Sequence, residues 1–259
     1  MILEKIAEST RERVEAAKNQ IPLSILRARI CDMELDTGFP FEEALKKKGM
    51  SFICEVKKAS PSKGLIAEDF PYVDIAKEYE AAGADAVSVL TEPEYFKGDN
   101  EYLKEIRKSI KLPIIRKDFT VDEYMIYEAK AIGADAVLLI CSILTRTQLE
   151  HYIGIADNLG LSALVEAHDE KEVEMALACK PKIIGVNNRN LKDFTVDINN
   201  SINLRRLVPK EIIFVSESGM KNREDIKRLE ENNVDAVLIG ETLMRSADKT
   251  KALAQLKVG

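Results

Sequence analysis

The residues best suited to chemistry are charged side chains at the ends of apolar runs. Glu55 and Lys57 stand at the end of SFICEV, Lys117 follows LPIIR, and Glu166 lies within LSALVEA. A charged group in an apolar segment is costly to bury unless it is paired or functional. A lysine facing a glutamate can supply a proton donor and a proton acceptor. General acid–base catalysis is the resulting hypothesis, and a structural ring of ion pairs is the alternative.

Two glycines later in the chain suggest a binding site for an anion. Gly219 ends the segment SESG, and Gly240 lies in IGET. Glycines let the backbone approach a phosphate closely, and the N–H groups at a helix start receive its charge. The sequence therefore predicts a phosphate site at these two turns, with ordinary turn glycines as the alternative.

A repeat shows which elements position these residues. GADAVSVL begins at Gly83, GADAVLLI at Gly133 and NVDAVLIG at Asn233, so the offsets are 50 and 100 residues. Both offsets are multiples of 25, and about 25 residues hold one buried strand, one helix and two short loops. The repeat therefore indicates successive βα units.

Five further apolar runs bring the number of predicted strands to eight. The runs are nearly continuous rather than alternating, as in parallel strands covered on both faces, and amphipathic stretches separate them. Eight βα units predict an α/β fold, a (β/α)8 TIM barrel forming a single domain over residues 1–259, with an open doubly wound sheet as the alternative. In such barrels the chemistry lies at the C-terminal ends of the strands, where all the residues above fall.

Residues 1–50 precede the first predicted strand as an extension of extra helices. Residues 2–18 read as a helix with Ile2, Ile6 and Val14 on its apolar side, and two shorter helical pieces follow. We expect this apolar side to pack on the barrel near its mouth. The long segment 57–72 after the first strand predicts a lid over the pocket, with a disordered loop as the alternative.

Composition and charge limit the other functions. The formal net charge of −6 disfavours partners such as nucleic acid or an anionic membrane. We found no signal-peptide pattern and no apolar run of membrane-spanning length, and the four cysteines lack CxxC spacing. We therefore expect a cytoplasmic protein with buried, reduced thiols. His151 and His168 have no metal-ligand partner at helical spacing, so no metal site is expected.

Several motifs closely resemble the indole-3-glycerol phosphate synthase family of tryptophan biosynthesis. They span the chain after the extension, in order: EVKKASPSKG (55–64), RKDF (116–119), LVEAH (164–168), GVNNRNL (185–191), SESG (216–219) and IGETLMR (239–245). The resemblance implies a carboxy-lyase acting on the phosphorylated substrate 1-(2-carboxyphenylamino)-1-deoxyribulose 5-phosphate. Ring closure, decarboxylation and dehydration of this substrate give indole-3-glycerol phosphate. No step needs an electron sink beyond the ring, so no cofactor is implied.

The resemblance also implies roles for individual residues. Lys117 would be the general acid at the ribulose carbonyl and Glu166 the general base of the dehydration. Lys57, held by Glu55, would be an electrostatic clamp or a second acid. The implied substrate-binding residues are Ser60, Phe119, Asn187, Arg189, Glu217 and Ser218, and the implied phosphate-binding residues are Gly219, Gly240 and Glu241.

Two positions depart from the family pattern. Ala167 precedes His168 where the family has valine, but Glu166 is kept. Glu241 stands where the family often has serine, so we expect its carboxylate to turn away from a phosphate and only its backbone N–H to help.

Three other functions remain open from the residues alone. A phosphoribosylanthranilate isomerase would pair an aspartate with a cysteine. Here Cys54 and Glu55 are neighbours on the predicted strand, so their side chains point to opposite faces. A Schiff-base aldolase would use Lys117 as its nucleophile. A non-catalytic barrel would bind the ligand without turnover. Association with other enzymes of the pathway is not decided by the sequence.

Overall fold

The apolar runs form parallel strands that close into a barrel. A computed structural model describes residues 2–191 and 193–257 of the chain, and within them eight parallel strands form the closed sheet. The strands are β1 (Ser51–Val56), β2 (Ala59–Ser60), β3 (Gly64–Leu65), β4 (Ala86–Leu90), β5 (Ile114–Lys117), β6 (Ala136–Ile140), β7 (Ser162–Ala167), β8 (Ile183–Asn187), β9 (Ile213–Glu217) and β10 (Ala236–Ile239). β10 pairs with β1 to close the ring, while β2 and β3 form a separate antiparallel hairpin. The predicted TIM barrel is confirmed, and the open sheet is excluded.

Helices cover the outside of the barrel and precede its first strand. They are α1 (Ile2–Gln20), α2 (Leu23–Ile30), α3 (Pro40–Leu45), α4 (Tyr72–Ala81), α5 (Asn100–Ser109), α6 (Glu123–Ile132), α7 (Arg146–Asn158), α8 (Glu170–Ala178), α9 (Asn199–Arg205), α10 (Arg223–Glu231), α11 (Glu241–Met244) and α12 (Lys249–Lys257). Thr145 and Gln148 form a capping box at the start of α7. The predicted N-terminal helices are therefore present as α1 to α3.

The repeated GAD motif has a structural role at the N-terminal ends of the strands. Gly133 ends α6 with a left-handed φ of 93°, which favours glycine. Two residues later, the carboxylate of Asp135 accepts a hydrogen bond from the backbone N–H of Ile114 at 2.8 Å. The other copies of the motif repeat this bond between neighbouring strands, from Phe52 to Asp85 and from Phe214 to Asp235.

Alternation along the strands divides the core into two layers. Inward-facing Ile53, Ile115 and Leu164 pack together inside the barrel, while their outward-facing neighbours pack beneath the helices. Residues two apart on a strand share a face, so Lys117 and Glu166 also face inward and lie above Ile115 and Leu164 in the barrel. The apolar lower interior therefore supports a polar mouth at the C-terminal ends of the strands.

The N-terminal extension contacts both ends of the barrel. Leu3 and Ile6 of α1 lie at the mouth, and Val14 packs on the outer side against α6 and the loop before it. Phe41 and Leu45 of α3 are fully buried and join the inner cluster from the opposite end. The expectation that the apolar side of α1 packs near the mouth is therefore confirmed for Ile2 and Ile6, which line the cavity, whereas α3 packs at the opposite end.

The burial of the cysteine thiols was a further expectation from the sequence. Cys54, Cys141 and Cys179 are buried, but Cys31 is exposed, so the expectation of buried thiols is wrong for Cys31.

The segment after β1 is partly ordered by the hairpin of β2 and β3. Among the described residues, every helix is too short or too polar to span a membrane.

Candidate active site

A cavity of about 450 Å³ opens at the mouth of the barrel. All the residues predicted for the site line it: Glu55, Lys57, Ser60, Lys117, Phe119, Glu166, Asn187, Arg189, Glu217, Ser218, Gly219, Gly240 and Glu241. The strands bring these residues together because each lies at or just beyond the C-terminal end of its strand or in the hairpin that follows β1.

Lys117 lies at the centre of the cavity floor between two carboxylates. Its Nζ donates to Glu217 Oε2 at 2.9 Å and to Glu166 Oε2 at 3.3 Å. Glu166 Oε1 also accepts a hydrogen bond from Asn187 Nδ2 at 3.3 Å. The side chains of both glutamates are almost completely buried. One ammonium group is therefore shared by two desolvated carboxylates.

Burial and mutual charge set the protonation of this cluster. Burial alone would lower the pKa of Lys117, but the negative charges of Glu217, Glu166 and Glu55 outweigh it and raise the pKa. Burial would likewise raise the pKa of Glu166, but Lys117 and His168 hold it well below its usual range. For Glu217, burial and the charge of Glu166 outweigh the attraction of Lys117 and raise the pKa to about 7.

The opposite behaviour of the two carboxylates agrees with their contacts. Glu166 has Lys117, Asn187 and His168 beside it, whereas Glu217 Oε1 is buried without a hydrogen-bond partner among the described residues. An ionised carboxylate needs such partners in a buried site. Glu166 is therefore the ionised group near neutral pH, and Glu217 is the one that takes up a proton more easily.

Glu55, Lys57 and Gly240 form a second polar group on the cavity wall. Lys57 Nζ contacts Glu55 Oε2, as their spacing on one strand face predicts. A Cβ on Gly240 would overlap that Glu55 oxygen and lie 3.1 Å from the Lys57 ammonium nitrogen. Gly240 therefore allows a close approach of the backbone after β10 to the ion pair, and a Cβ there would push the Glu55 and Lys57 side chains aside.

The rim beyond Gly240 collects positive charge around Glu241. The Glu241 carboxylate accepts a hydrogen bond from Arg245 Nε at 3.1 Å and lies 3.6 Å from Lys63 Nζ and 3.9 Å from Arg189 Nη2. Gly240 is the N-cap residue of α11, as expected for a helix-starting turn. An anion bound here would meet these cations together with the Glu241 carboxylate.

Gly219 occupies a different kind of turn from the one predicted. α10 begins only at Arg223 with Asn222 as its N-cap, so the prediction that Gly219 starts a helix is wrong. Ser218 and Gly219 instead have left-handed φ values of 67° and 100°. The buried Asn188 amide donates to the Ser218 carbonyl oxygen at 3.0 Å and holds this strained turn.

The other part of the cavity is apolar. Phe119 packs against Phe96 with a centroid distance of 5.8 Å, and Leu3 and Ile6 of α1 line the same cavity. The side chain of buried Glu92 fixes the loop that carries Phe96, because it accepts the backbone N–H of Phe96 at 2.9 Å. A planar aromatic group can pack against such a surface.

Sequence reasoning missed several residues that the structure brings to the site. Phe96 and Lys63 line the cavity, Asn188 supports the turn at Ser218, and His168 contacts Glu166. Two sequence signals were available: His168 follows Glu166 by two positions, directly after the strand, and Glu172 follows His168 by four. Phe96 lies in a loop without a periodic pattern, so nothing in its neighbourhood marked it.

The cavity combines three chemically different surfaces. Cations and backbone N–H groups lie at one rim, aromatic and aliphatic surfaces at another, and a lysine between two carboxylates on the floor. Such a site can hold a phosphorylated aromatic molecule and move protons at a carbon–oxygen bond.

Comparison with known proteins shows the family of this chain. The family model described as indole-3-glycerol phosphate synthase matches residues 3–256. An indole-3-glycerol phosphate synthase of Ruminiclostridium cellulolyticum is 58% identical over 257 residues, covering 99% of each chain. One of Lachnoclostridium phytofermentans is 51% identical, also covering 99% of each chain.

Solved structures support the fold alone. Thiamine phosphate pyrophosphorylase from Pyrococcus furiosus superposes with a TM-score of 0.61 at 18% identity, over 83% of this chain and 95% of that one.

Proposed function

Since the chain belongs to the indole-3-glycerol phosphate synthase family, we propose that its barrel mouth closes the indole ring with Lys117 as proton donor and Glu166 as proton acceptor. The substrate is 1-(2-carboxyphenylamino)-1-deoxyribulose 5-phosphate, a phosphorylated intermediate of tryptophan biosynthesis. The observation that carries the proposal is the Lys117 ammonium group on the cavity floor, held between two buried carboxylates.

The substrate is oriented by the two unlike ends of the cavity. Its phosphate lies against the Gly219 and Gly240 backbone, with Arg189 nearby, and its aromatic ring lies against the apolar surface that includes Phe96 and Phe119. This orientation places the ribulose carbonyl above Lys117. Holding both reacting carbons in one rigid cavity supplies part of the rate enhancement.

Ring closure and decarboxylation need a proton donor. The ring carbon that bears the carboxylate attacks the carbonyl carbon, and the carbonyl oxygen takes a proton from Lys117. A protonated lysine supplies both this proton and a positive charge where negative charge develops. CO2 then leaves, and the electrons of the broken bond restore the aromatic ring. Lys57, held by Glu55, adds positive charge as a clamp or a second acid.

Dehydration needs a proton acceptor. The new hydroxyl group takes up a proton from Lys57, acting as the second acid, and leaves as water, while Glu166 removes a proton from the neighbouring carbon or nitrogen. Glu166 is suited to this step because its contacts keep it ionised. The same contacts argue against a Schiff-base aldolase, since Lys117 is held protonated and an amine must be neutral to attack a carbonyl.

The experiment compares Lys117→Met and Glu166→Gln in a single turnover. Loss of a general acid or base costs ~10²–10⁴-fold in rate. We expect both variants to lose kcat far more than they raise KM. The lysine variant should stall before CO2 release, and the glutamate variant after it, as followed by CO2 release against indole absorbance.

Two outcomes would contradict the assignment. If both variants release CO2 at the wild-type rate, Lys117 has no role in ring closure. If Lys117→Met keeps a nearly normal kcat, the Lys117 contacts are structural ion pairs and Lys57 is the better candidate for the acid.

A further inference from the structure

Glu166 has a second cationic partner besides Lys117. His168 follows β7 by one residue, and its Nε2 lies 3.3 Å from Glu166 Oε1. Its side chain is only 17% exposed, and it is not among the described residues that line the cavity. His168 therefore acts on a ligand only through its neighbours.

The opposite side of the His168 ring is fixed by α8. Nδ1 lies 3.0 Å from Glu172 Oε2, and the same carboxylate oxygen accepts the backbone N–H of His168 at 2.8 Å. The Asn200 amide donates to the His168 carbonyl oxygen at 3.1 Å. The ring thus lies between two carboxylates with its main chain anchored on both sides.

This position makes the ring an imidazolium. Both ring nitrogens face carboxylate oxygens, and each needs a proton to interact favourably. Burial would lower the pKa of His168, but Glu166 and Glu172 outweigh it and raise the pKa to about 10. The 3.3 Å contact with Glu166 is a contact between charges, because its geometry does not meet that of a hydrogen bond.

We propose that His168, held by Glu172, is a positioning residue that keeps Glu166 ionised and in place after Lys117 has given up its proton. The inference rests on the roles proposed for Lys117 and Glu166. Once Lys117 is neutral, its attraction for Glu166 is lost and Glu217 provides none. His168 then remains as the positive charge beside the base, while the Asn187 amide holds the same oxygen.

The charged and titratable groups around the pair are few. Those facing Glu166 are Lys117, His168 and the carboxylate of Glu217, while Glu55 acts on Lys117. Those facing His168 are Glu166 and Glu172, and the hydroxyl of Ser142 lies 3.3 Å from Nδ1. Burial raises the pKa of the nearby Cys141 thiol, which therefore stays neutral.

The test measures kcat against pH for His168→Gln and Glu172→Gln. An opposite charge at this distance lowers a carboxyl pKa by about 1–3. Without it, Glu166 takes up a proton at higher pH, so the acid limb of kcat should move upward by about one pH unit in His168→Gln. At neutral pH Glu166 stays ionised, so kcat should fall there by about tenfold only because the base is less well positioned, while KM changes less than about twofold because His168 does not reach the substrate.

Glu172→Gln should move the acid limb in the same direction by a smaller amount, because it keeps the ring and removes the charge that holds it protonated. Glu174→Gln is the matched control, since it is an exposed glutamate on the same helix. Its profile should match that of the wild type. If His168→Gln does not fold, the Glu172→Gln profile decides.

An acid limb that stays in place in the folded variants would overturn the proposal. Glu166→Gln separates this failure from that of the proposed function. If Glu166→Gln loses kcat while His168→Gln keeps the wild-type limb, only the role of His168 is wrong. If Glu166→Gln keeps kcat, the proposed base itself is wrong.

Discussion

At the scale of residues, the site depends on two carboxylates with unequal surroundings sharing one lysine. Glu166 is kept ionised by several partners, whereas Glu217 has Lys117 as its main one. A lone buried carboxylate is destabilising when ionised. The protein therefore keeps a group in its site that weakens the fold at alkaline pH.

Glu217→Gln should relieve this cost. The folded-state pKa of Glu217 is raised from its ordinary 4.5 to about 7, so the folded state binds more protons than the unfolded state between these values. Wild-type stability attributable to this group is therefore full at low pH and is lost as pH rises through the folded pKa. The neutral glutamine removes this dependence.

We expect the Tm of Glu217→Gln to exceed that of the wild type by a few degrees at pH 8 and by much less at pH 5, since 1 kcal/mol corresponds to about 2–4 °C at this size. Thermal unfolding at both pH values measures the difference. The exposed Glu211→Gln is the control. A Tm difference that shrinks as pH rises would show that Glu217 is ionised at low cost.

Gly240→Ala tests the close approach at the predicted phosphate site. The added Cβ overlaps Glu55 Oε2 and displaces Lys57. We expect KM to rise about tenfold, a loss of ~1.4 kcal/mol, with similar weakening of inhibition by inorganic phosphate. Gly154→Ala is a suitable control, since a Cβ there meets open space. Unchanged inhibition by phosphate in Gly240→Ala would place the anion elsewhere in the mouth.

At the scale of elements, the repeated GAD motif joins neighbouring strands at the end of the barrel opposite the site. Asp135 pairs with Arg107 of α5 at 2.9 Å while it accepts the Ile114 N–H. One side chain thus connects a strand, its neighbour and a helix. In TIM barrels this end contributes to stability rather than to chemistry.

Asp135→Ala should lower stability without changing the reaction. It leaves the Ile114 N–H without its acceptor, which costs about 1–3 kcal/mol. Urea unfolding measures this loss, and kcat/KM should stay at the wild-type value. The exposed Asp69→Ala is the control. A loss below about 0.5 kcal/mol, the usual range of surface changes, would mean that the motif has no such role.

At the scale of the whole molecule, the extension closes both ends of the barrel. Phe41 and Leu45 complete the inner cluster at one end, while Leu3 and Ile6 line the cavity at the other. Arg13 of α1 also pairs at 2.8 Å with the buried Asp118, which directly follows Lys117. We propose that the extension and the barrel act as one domain, so that removal of residues 1–45 would damage the fold as well as the site.

Single substitutions in α1 can separate these two effects. Ile6→Ala and Val14→Ala both remove buried methyl groups, so both should lower stability. Only Ile6 lines the cavity, so only Ile6→Ala should raise KM, by about three- to tenfold for ~1 kcal/mol of lost contact. Unfolding curves and steady-state kinetics measure the two effects. Equal KM values for both variants would mean that α1 does not touch the substrate.

The sequence alone determined the barrel and the direction of its side chains. Buried strands repeat at a regular interval, and residues two apart on a strand share a face. These local rules placed Glu55, Lys117 and Glu166 at one end of the barrel and facing inward.

Only the tertiary structure decided which of these groups meet. Lys117 and Glu217 are 100 residues apart, and their 2.9 Å contact depends on closure of the barrel and on strand register. Phe96 reaches the cavity through a loop fixed by Glu92, and α3 packs at the far end rather than at the mouth. The pKa of a side chain depends on the groups that lie within a few ångströms of it in space. The unequal protonation of Glu166 and Glu217 could therefore be found only from the folded chain.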